Sequence, residues 1–294
     1  MTRTGLNRRN RLSLCGTLAM AIVAAHPLGA QEAGASEPAL PSAIEDNSFF
    51  IEEAYNQEEG VVQHISTFMR LGAPLRTSDY GFTQEWPVGS QTHQLSVTLP
   101  YSWSEAGGGT GFGDTLLNYR YQLFGHDDWA AFAPRFSLVL PTGRQEQRKP
   151  GVQVNLPASK RLNAWMVVHA NAGATFLPAT GTRVYNVGGS VIGLVTTNLN
   201  LMLEVASAFS SERGESGRRT RERETIVSPG LRYAINVGAL QIVPGLAAPF
   251  RHGGGRTSTG FLAYLSFEHS FKSRPVAEQA DAERPAKGNT QEGM

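Results

Sequence analysis

The stretch from Asp114 to Leu140, DTLLNYRYQLFGHDDWAAFAPRFSLVL, constrains this chain most. In its first half Leu117, Tyr119, Tyr121 and Leu123 alternate with Asn118, Arg120 and Gln122. A period of two puts each set on its own face of a β-strand. Gly125, His126, Asp127 and Asp128 make a polar turn. Phe132, Pro134, Phe136, Leu138 and Leu140 then alternate with Arg135 and Ser137. Each arm runs to about ten residues, beyond the ~5–6 of ordinary strands and close to the ~9–11 that a tilted strand needs to cross a bilayer. The hairpin reads as two membrane-spanning strands, apolar on one side and polar on the other.

The rest of the chain repeats the pattern. Twelve candidate strands follow from it: Val61–Leu71, Asp79–Val88, Gln91–Trp103, Asp114–Phe124, Trp129–Leu140, Val152–Lys160, Trp165–Leu177, Tyr185–Thr196, Leu199–Ser210, Thr225–Val237, Leu240–Phe250 and Thr259–Phe271. Short connections such as Gly89-Ser90 and Thr197-Asn198 alternate with longer ones such as 104–113 and 211–224. Outer-membrane barrels have short periplasmic turns and longer external loops. The expectation is an all-β, antiparallel, up-and-down transmembrane β-barrel of twelve strands. Closure has a physical cause, since an unpaired strand edge facing lipid costs several kcal/mol per polar group. Prolines 134, 157, 229, 244 and 249 fall inside these strands and lack a ladder donor, so strand ends or bulges are their expected places. Trp86, Trp103, Trp129, Trp165, Tyr80, Tyr101 and Tyr185 fall near strand ends, as an aromatic girdle requires.

Composition removes the competing classes. The net charge of +1 gives no electrostatic reason for a nucleic-acid partner. No apolar run reaches the ~18 residues of a membrane helix. The single cysteine, Cys15, lies in the leader, so the exported chain has neither disulfides nor a reactive thiol. Arg3, Arg8, Arg9 and Arg11 precede an apolar core from Leu12 to Ala25, and small residues follow at Gly29-Ala30 and Gly34-Ala35. That describes a secretory signal over residues 1–30, cleaved after Ala30 or Ala35. The expected destination is the bacterial outer membrane.

Residues 31–60 form an N-terminal periplasmic segment, 61–271 the barrel, and 272–294 a polar tail that reads as disordered. Within the first of these, Phe49 to Gly60 is open between a short helix at the periplasmic end and a strand folding into the lumen. The tail follows Phe271, an aromatic residue of the kind the barrel-assembly machinery reads at the end of a last strand.

Alternation assigns the inner face. It carries Glu85, Glu204 and Glu268 against Arg120, Arg135 and Arg232, joined by Asn118, Gln122, Asn155, His169 and Asn171. Three acids against three bases suggest paired charges, because unpaired charge in a narrow lumen is expensive. Such a lining suits a polar conduit equally with a salt-bridge network that fills a closed barrel.

Other motifs weigh less. The glycine run Gly107 to Gly113 lacks phosphate-loop spacing and leads into a strand, so a flexible loop is the better reading. Arg213, Arg218, Arg219, Arg221 and Arg223 make an arginine-rich external loop, diluted by Glu212, Glu215, Glu222 and Glu224. It can contact lipopolysaccharide phosphates or simply pair with itself in water. His169 and Asn171 share a face, as lipase residues do on some outer-membrane barrels, but no serine partner is identifiable, and no catalytic residue is assigned. No His, Cys, Asp and Glu spacing suggests a metal, and no cofactor is expected.

Three segments are distinctive: Ile51 to His64 (IEEAYNQEEGVVQH), Gly111 to Leu123 (GFGDTLLNYRYQL), and Leu140 to Gly143 (LPTG) with the later Gln153 to Lys160 (QVNLPASK). Together they resemble the bacterial family labelled MetA-pathway of phenol degradation. The resemblance covers roughly residues 45–271. It implies an outer-membrane β-barrel acting in transport, with an association to the breakdown of aromatic compounds. It carries no catalytic motif. Expected partners are outer-membrane lipid, with lipopolysaccharide as a candidate, the assembly machinery and a small-molecule substrate.

Overall fold

The computed structural model describes residues 48–105, 109–143, 149–214, 217–238 and 240–270. The expected leader, the residues ahead of Ser48, and the tail from Phe271 onward lie outside the described residues. The strands are β1 Val61–Leu71, β2 Thr77–Val88, β3 Ser90–Ser104, β4 Thr115–Tyr121 with a short piece Gly111–Phe112, β5 Arg135–Leu140 with Ala131–Phe132, and β6 Gly151–Asn163. They continue as β7 Met166–Leu177, β8 Thr182–Leu194, β9 Leu199–Arg213, β10 Arg219–Tyr233 extended by Ile235–Val237, β11 Leu240–Ala247 with Phe250–Gly253, and β12 Arg256–Ser270. Each strand pairs with the next, antiparallel. β1 pairs with β12 from Val61↔Ser270 to Leu71↔Gly260, so the sheet closes and has no free edge. The fold is an all-β, closed, antiparallel barrel of twelve strands, with no helix among the described residues.

The two faces separate by chemistry. Leu99, Leu117, Tyr119, Phe136, Val187, Leu201, Leu203, Leu231 and Phe261 point outward and stand exposed. Their strand neighbours Thr98, Asn118, Ser137, Asn200, Ser228 and Arg232 point inward and are buried. This is the inverse of a water-soluble core, and it suits a barrel whose outer solvent is hydrocarbon.

The prolines follow a rule finer than the one expected. Pro134 and Pro249 do lie in interruptions, between the two pieces of β5 and of β11. Pro157, Pro229 and Pro244 instead sit within continuous strands. For two of these the neighbouring strand is broken at the same height. Pro157 of β6 faces the gap in β5, where Ala133 N–H donates to the Pro157 carbonyl at 3.3 Å. Pro229 of β10 faces the gap in β11, where Ala248 N–H donates to the Pro229 carbonyl at 2.9 Å. Pro100 of β3 repeats the device, with Gly113 N–H donating to its carbonyl at 3.0 Å between the two pieces of β4. A missing donor costs little where the partner strand has itself left the ladder.

Boundaries shift where local geometry overrides the pattern. β4 ends at Tyr121 rather than Phe124, and Phe124 makes only an isolated bridge to Phe132. The expected loop from Ser211 to Glu224 is largely strand: β9 runs to Arg213 and β10 begins at Arg219.

Candidate functional site

The lumen is not empty. Residues 48–57, SFFIEEAYNQ, run through it without joining the sheet or forming a helix. Every residue from Ser48 to Gln57 is buried, with Glu52, Glu53, Ala54, Asn56 and Gln57 at 0 % exposure. Of the two readings open for this segment, the lumen is correct as to place, but the segment is not a strand. It is a strap whose backbone is held by wall side chains.

The holds come from six places on the wall. Ser48 Oγ donates to Ser190 Oγ of β8 at 2.6 Å. The amides of Phe50 and Ile51 both donate to Glu204 Oε1 of β9, at 2.7 and 3.2 Å. Glu52 N–H donates to Asn171 Oδ1 of β7 at 2.6 Å, and Asn171 Nδ2 returns a bond to the Glu52 carbonyl at 2.8 Å. Ala54 N–H donates to Ser159 Oγ of β6 at 2.8 Å. Asn56 N–H donates to Gln122 Oε1, just past β4, at 2.8 Å. Gln57 N–H donates to Gln94 Oε1 of β3 at 2.6 Å. From Glu204 onward the strap passes strands in descending order, β9, β7, β6, β4 and β3, and delivers the chain to β1. It has no sheet ladder of its own, so the wall supplies partners that its buried amides require.

Two arginines fix the middle. Arg120 of β4 gives Nε to Asn56 Oδ1 at 2.8 Å, and its terminal nitrogens to the carbonyls of Glu53 and Tyr55. Arg135 of β5 forms an ion pair with Glu52 and donates to Asn118 Oδ1 and Ser137 Oγ at 2.8 and 2.9 Å. The planar five-donor guanidinium suits this work, bridging several acceptors from one buried position.

Glycines make room for the apolar side chains. A Cβ at Gly245 would lie 2.6 Å from the Phe49 ring, and one at Gly230 would lie 2.8 Å from it. A Cβ at Gly188 would meet Ile51 Cδ1 at 2.5 Å. Phe49 also packs on Tyr264 with centroids 5.2 Å apart, and Tyr55 stacks flat on His126 at 3.9 Å.

All eleven inner-face residues expected from the sequence lie on that face. Ten are buried and Gln122 is half-buried. Their three acids also engage neutral donors. Glu85 accepts from Gln94 Nε2 at 2.6 Å, Glu204 from the strap amides, and Glu268 from Gln63 Nε2 at 2.6 Å and Gln57 Nε2 at 3.3 Å. Asn118 donates to Ser96 and Thr98, and Asn155 accepts from Asn186 at 3.5 Å. The acid that meets Arg135 comes from the strap, not from the wall. Amide donors reach these buried carboxylates without adding the second buried charge that an ion pair requires.

His169 has the serine partner that the sequence did not reveal. Ser159 Oγ lies 2.6 Å from His169 Nδ1, the two being paired across β6 and β7. The same Oγ accepts from Ala54 N–H, and strap and wall bury both residues. The pair anchors the strap. Among the described residues no cluster of three or more His, Cys, Asp or Glu stands ready for a metal.

No family model matches the chain, and no curated protein matches it. The resemblance to the MetA-pathway family therefore stands on the quoted segments alone. Solved structures that are similar include an outer membrane channel from Pseudomonas putida F1, with 13 % identity, TM-score 0.48, and cover of 81 % of this chain and 100 % of that one. The KdgM porin is similar at 11 % identity and TM-score 0.45, covering 72 % of this chain and 99 % of that one. The NanC porin is similar at 11 % identity and TM-score 0.44, covering 71 % and 100 %.

Proposed function

We propose that this protein is a passive channel of the bacterial outer membrane that the strap over residues 48–57 holds shut. The observation that carries the reading is a closed wall, apolar outward and polar inward, with a buried, non-sheet segment across its lumen. A wall built only for structure has no need of polar side chains that grip a separable segment. Export by the leader and insertion by the barrel-assembly machinery belong to the same reading. The substrate class, small aromatic or other hydrophobic compounds, rests on the family resemblance.

A second reading has its own support. The strap is so completely buried that it also suits a non-conducting barrel whose lumen is permanently filled. Planar-bilayer recording separates the two. The chain without residues 48–57 is expected to give steady unit conductance, and the intact chain to give rare or small openings. If the strap-free barrel inserts and stays silent, the filled-barrel reading replaces the channel. Uptake of candidate aromatics by cells with and without the protein tests the substrate class.

A further inference from the structure

The arginine-rich region is not a self-neutralising loop. Once β9 and β10 are seen to extend through it, the alternation of the strands sorts the charges by sign. Phe209, Val227 and Leu231 set the outward parity of this hairpin, and Tyr185 and Val187 set that of β8. By that parity Arg183, Arg213, Arg219, Arg221 and Arg223 all lie on the outward face, exposed. Glu212, Glu222 and Glu224 fall on the opposite face, where Glu224 pairs with Arg251. No acid among the described residues lies on the outward face of this region.

The register brings the five together. Arg213 stands directly opposite Arg219, and Ser211 lies between Arg183 on one side and Arg221 on the other. Neighbouring strands are ~4.8 Å apart, so the cluster spans about 10 Å. Like charges directly across a ladder destabilise it. Two of these guanidiniums are already aimed: Arg219 Nη1 donates to Ser211 Oγ and the Gly181 carbonyl at 3.2 and 3.3 Å, and Arg223 lies 5.3 Å over the Phe209 ring. Both groups keep further donors.

Height identifies what belongs there. Below the arginines runs an aromatic row, Phe176 edge-on to Tyr185 at 6.1 Å and then Phe209, and below that lie Val187, Val191, Leu203, Val205 and Val227. Hydrocarbon belt, aromatic row, cation row is the order of a membrane surface met from inside. The cations are at the end of the longer loops, which the channel reading above, on which this inference rests, places at the outer leaflet. On the other side of the barrel the outward Arg70 is neutralised by Glu105 at 2.5 Å.

We propose that the outward face of β8–β10 is a binding site for the phosphate groups of a phosphorylated glycolipid of the outer leaflet. The guanidiniums grip phosphate bidentately while the acyl chains lie along the apolar belt. The lipid supplies the negative charge that this face of the sheet lacks.

Native mass spectrometry of the full mature chain in detergent tests this, with bis-phosphorylated lipid A and its dephosphorylated form as probes. The wild type is expected to retain the phosphorylated form at least tenfold more tightly. The combined variant Arg219→Ala, Arg221→Ala and Arg223→Ala is expected to lose that preference. The corresponding triple lysine variant, which keeps charge but not the planar fork, should lie between. Arg70→Ala, a control at a paired arginine, should match the wild type. Equal retention of both lipid forms, or a preference unchanged in the alanine variant, overturns the proposal. So does phosphate-independent capture of an acidic polypeptide by the same face. A chain that stays monodisperse in water without detergent sinks the membrane reading itself, an outcome distinct from a barrel that needs detergent but ignores lipid phosphate.

Discussion

Two sets of arginines in this barrel live under opposite rules. Arg120 and Arg135 are buried inside, and each meets several acceptors: strap carbonyls, Asn56, Glu52, Asn118 and Ser137. Arg183, Arg213, Arg219, Arg221 and Arg223 stand outside with no acid on their face among the described residues. Burial makes the first arrangement obligatory, because an uncompensated charge in a dry interior costs several kcal/mol. Exposure makes the second tolerable, because solvent and counter-ions screen the repulsion. The comparison teaches that arginines close in sequence pattern serve fold in one place and leave chemistry unspent in another.

The largest effect should come from the inside. Arg135→Met removes the ion-pair partner of buried Glu52 and is expected to destabilise by about 3–5 kcal/mol. The midpoint of urea unfolding in detergent micelles measures it, and Glu52→Gln in the same background should recover part of the loss. Next, Gly245→Val puts side-chain atoms where the Phe49 ring lies and should expel the head of the strap. Because Cys15 is the only natural cysteine and lies in the expected leader, Ala54→Cys is a clean reporter. Its thiol should react slowly in the parent and at least roughly tenfold faster with Gly245→Val, overpacking being worth about 1–3 kcal/mol. A protected thiol in both would place Phe49 elsewhere.

Ser159→Ala should cost about 1–3 kcal/mol, since it orphans Ala54 N–H and strips His169 of its partner. Hydrogen exchange at Ala54 is the local readout. The smallest effect belongs outside: Arg221→Ala, without lipid, should stay within about 0.5 kcal/mol of the parent. A loss there as large as at Arg135 would erase the contrast between the two sets.

The wall was legible because a bilayer enforces the same alternation on every strand, so Leu117-Asn118-Tyr119-Arg120 announces both faces at once. The inner-face residues came with it. The strap's conformation and holds were not legible, since its amides are bonded by side chains as far away as Glu204, 154 positions from Phe50. A segment bound one residue at a time has no period to read. Its trace was there as glycine at inward positions 188, 230 and 245, where a polar side chain would otherwise be due. Ser159 opposite His169 follows from laying β6 and β7 in register from their turn. The sign-sorting of the arginines depends on knowing that strand, not loop, runs through Arg219 to Arg223.

The order of the strap's holds has a mechanical meaning. Ser190, Glu204, Asn171, Ser159, Gln122 and Gln94 engage it in sequence from Ser48 onward. A load entering at Ser48 would meet the Ser190 hydroxyl first, and then the Phe49 ring and the two amides on Glu204. A load entering at Gly60 would tug Gln57 and Asn56 first, where Gln94, Gln122, Gln91 and Arg120 resist together. The segment is therefore moored more densely by polar bonds at the end that feeds β1 than at the end where it enters the wall.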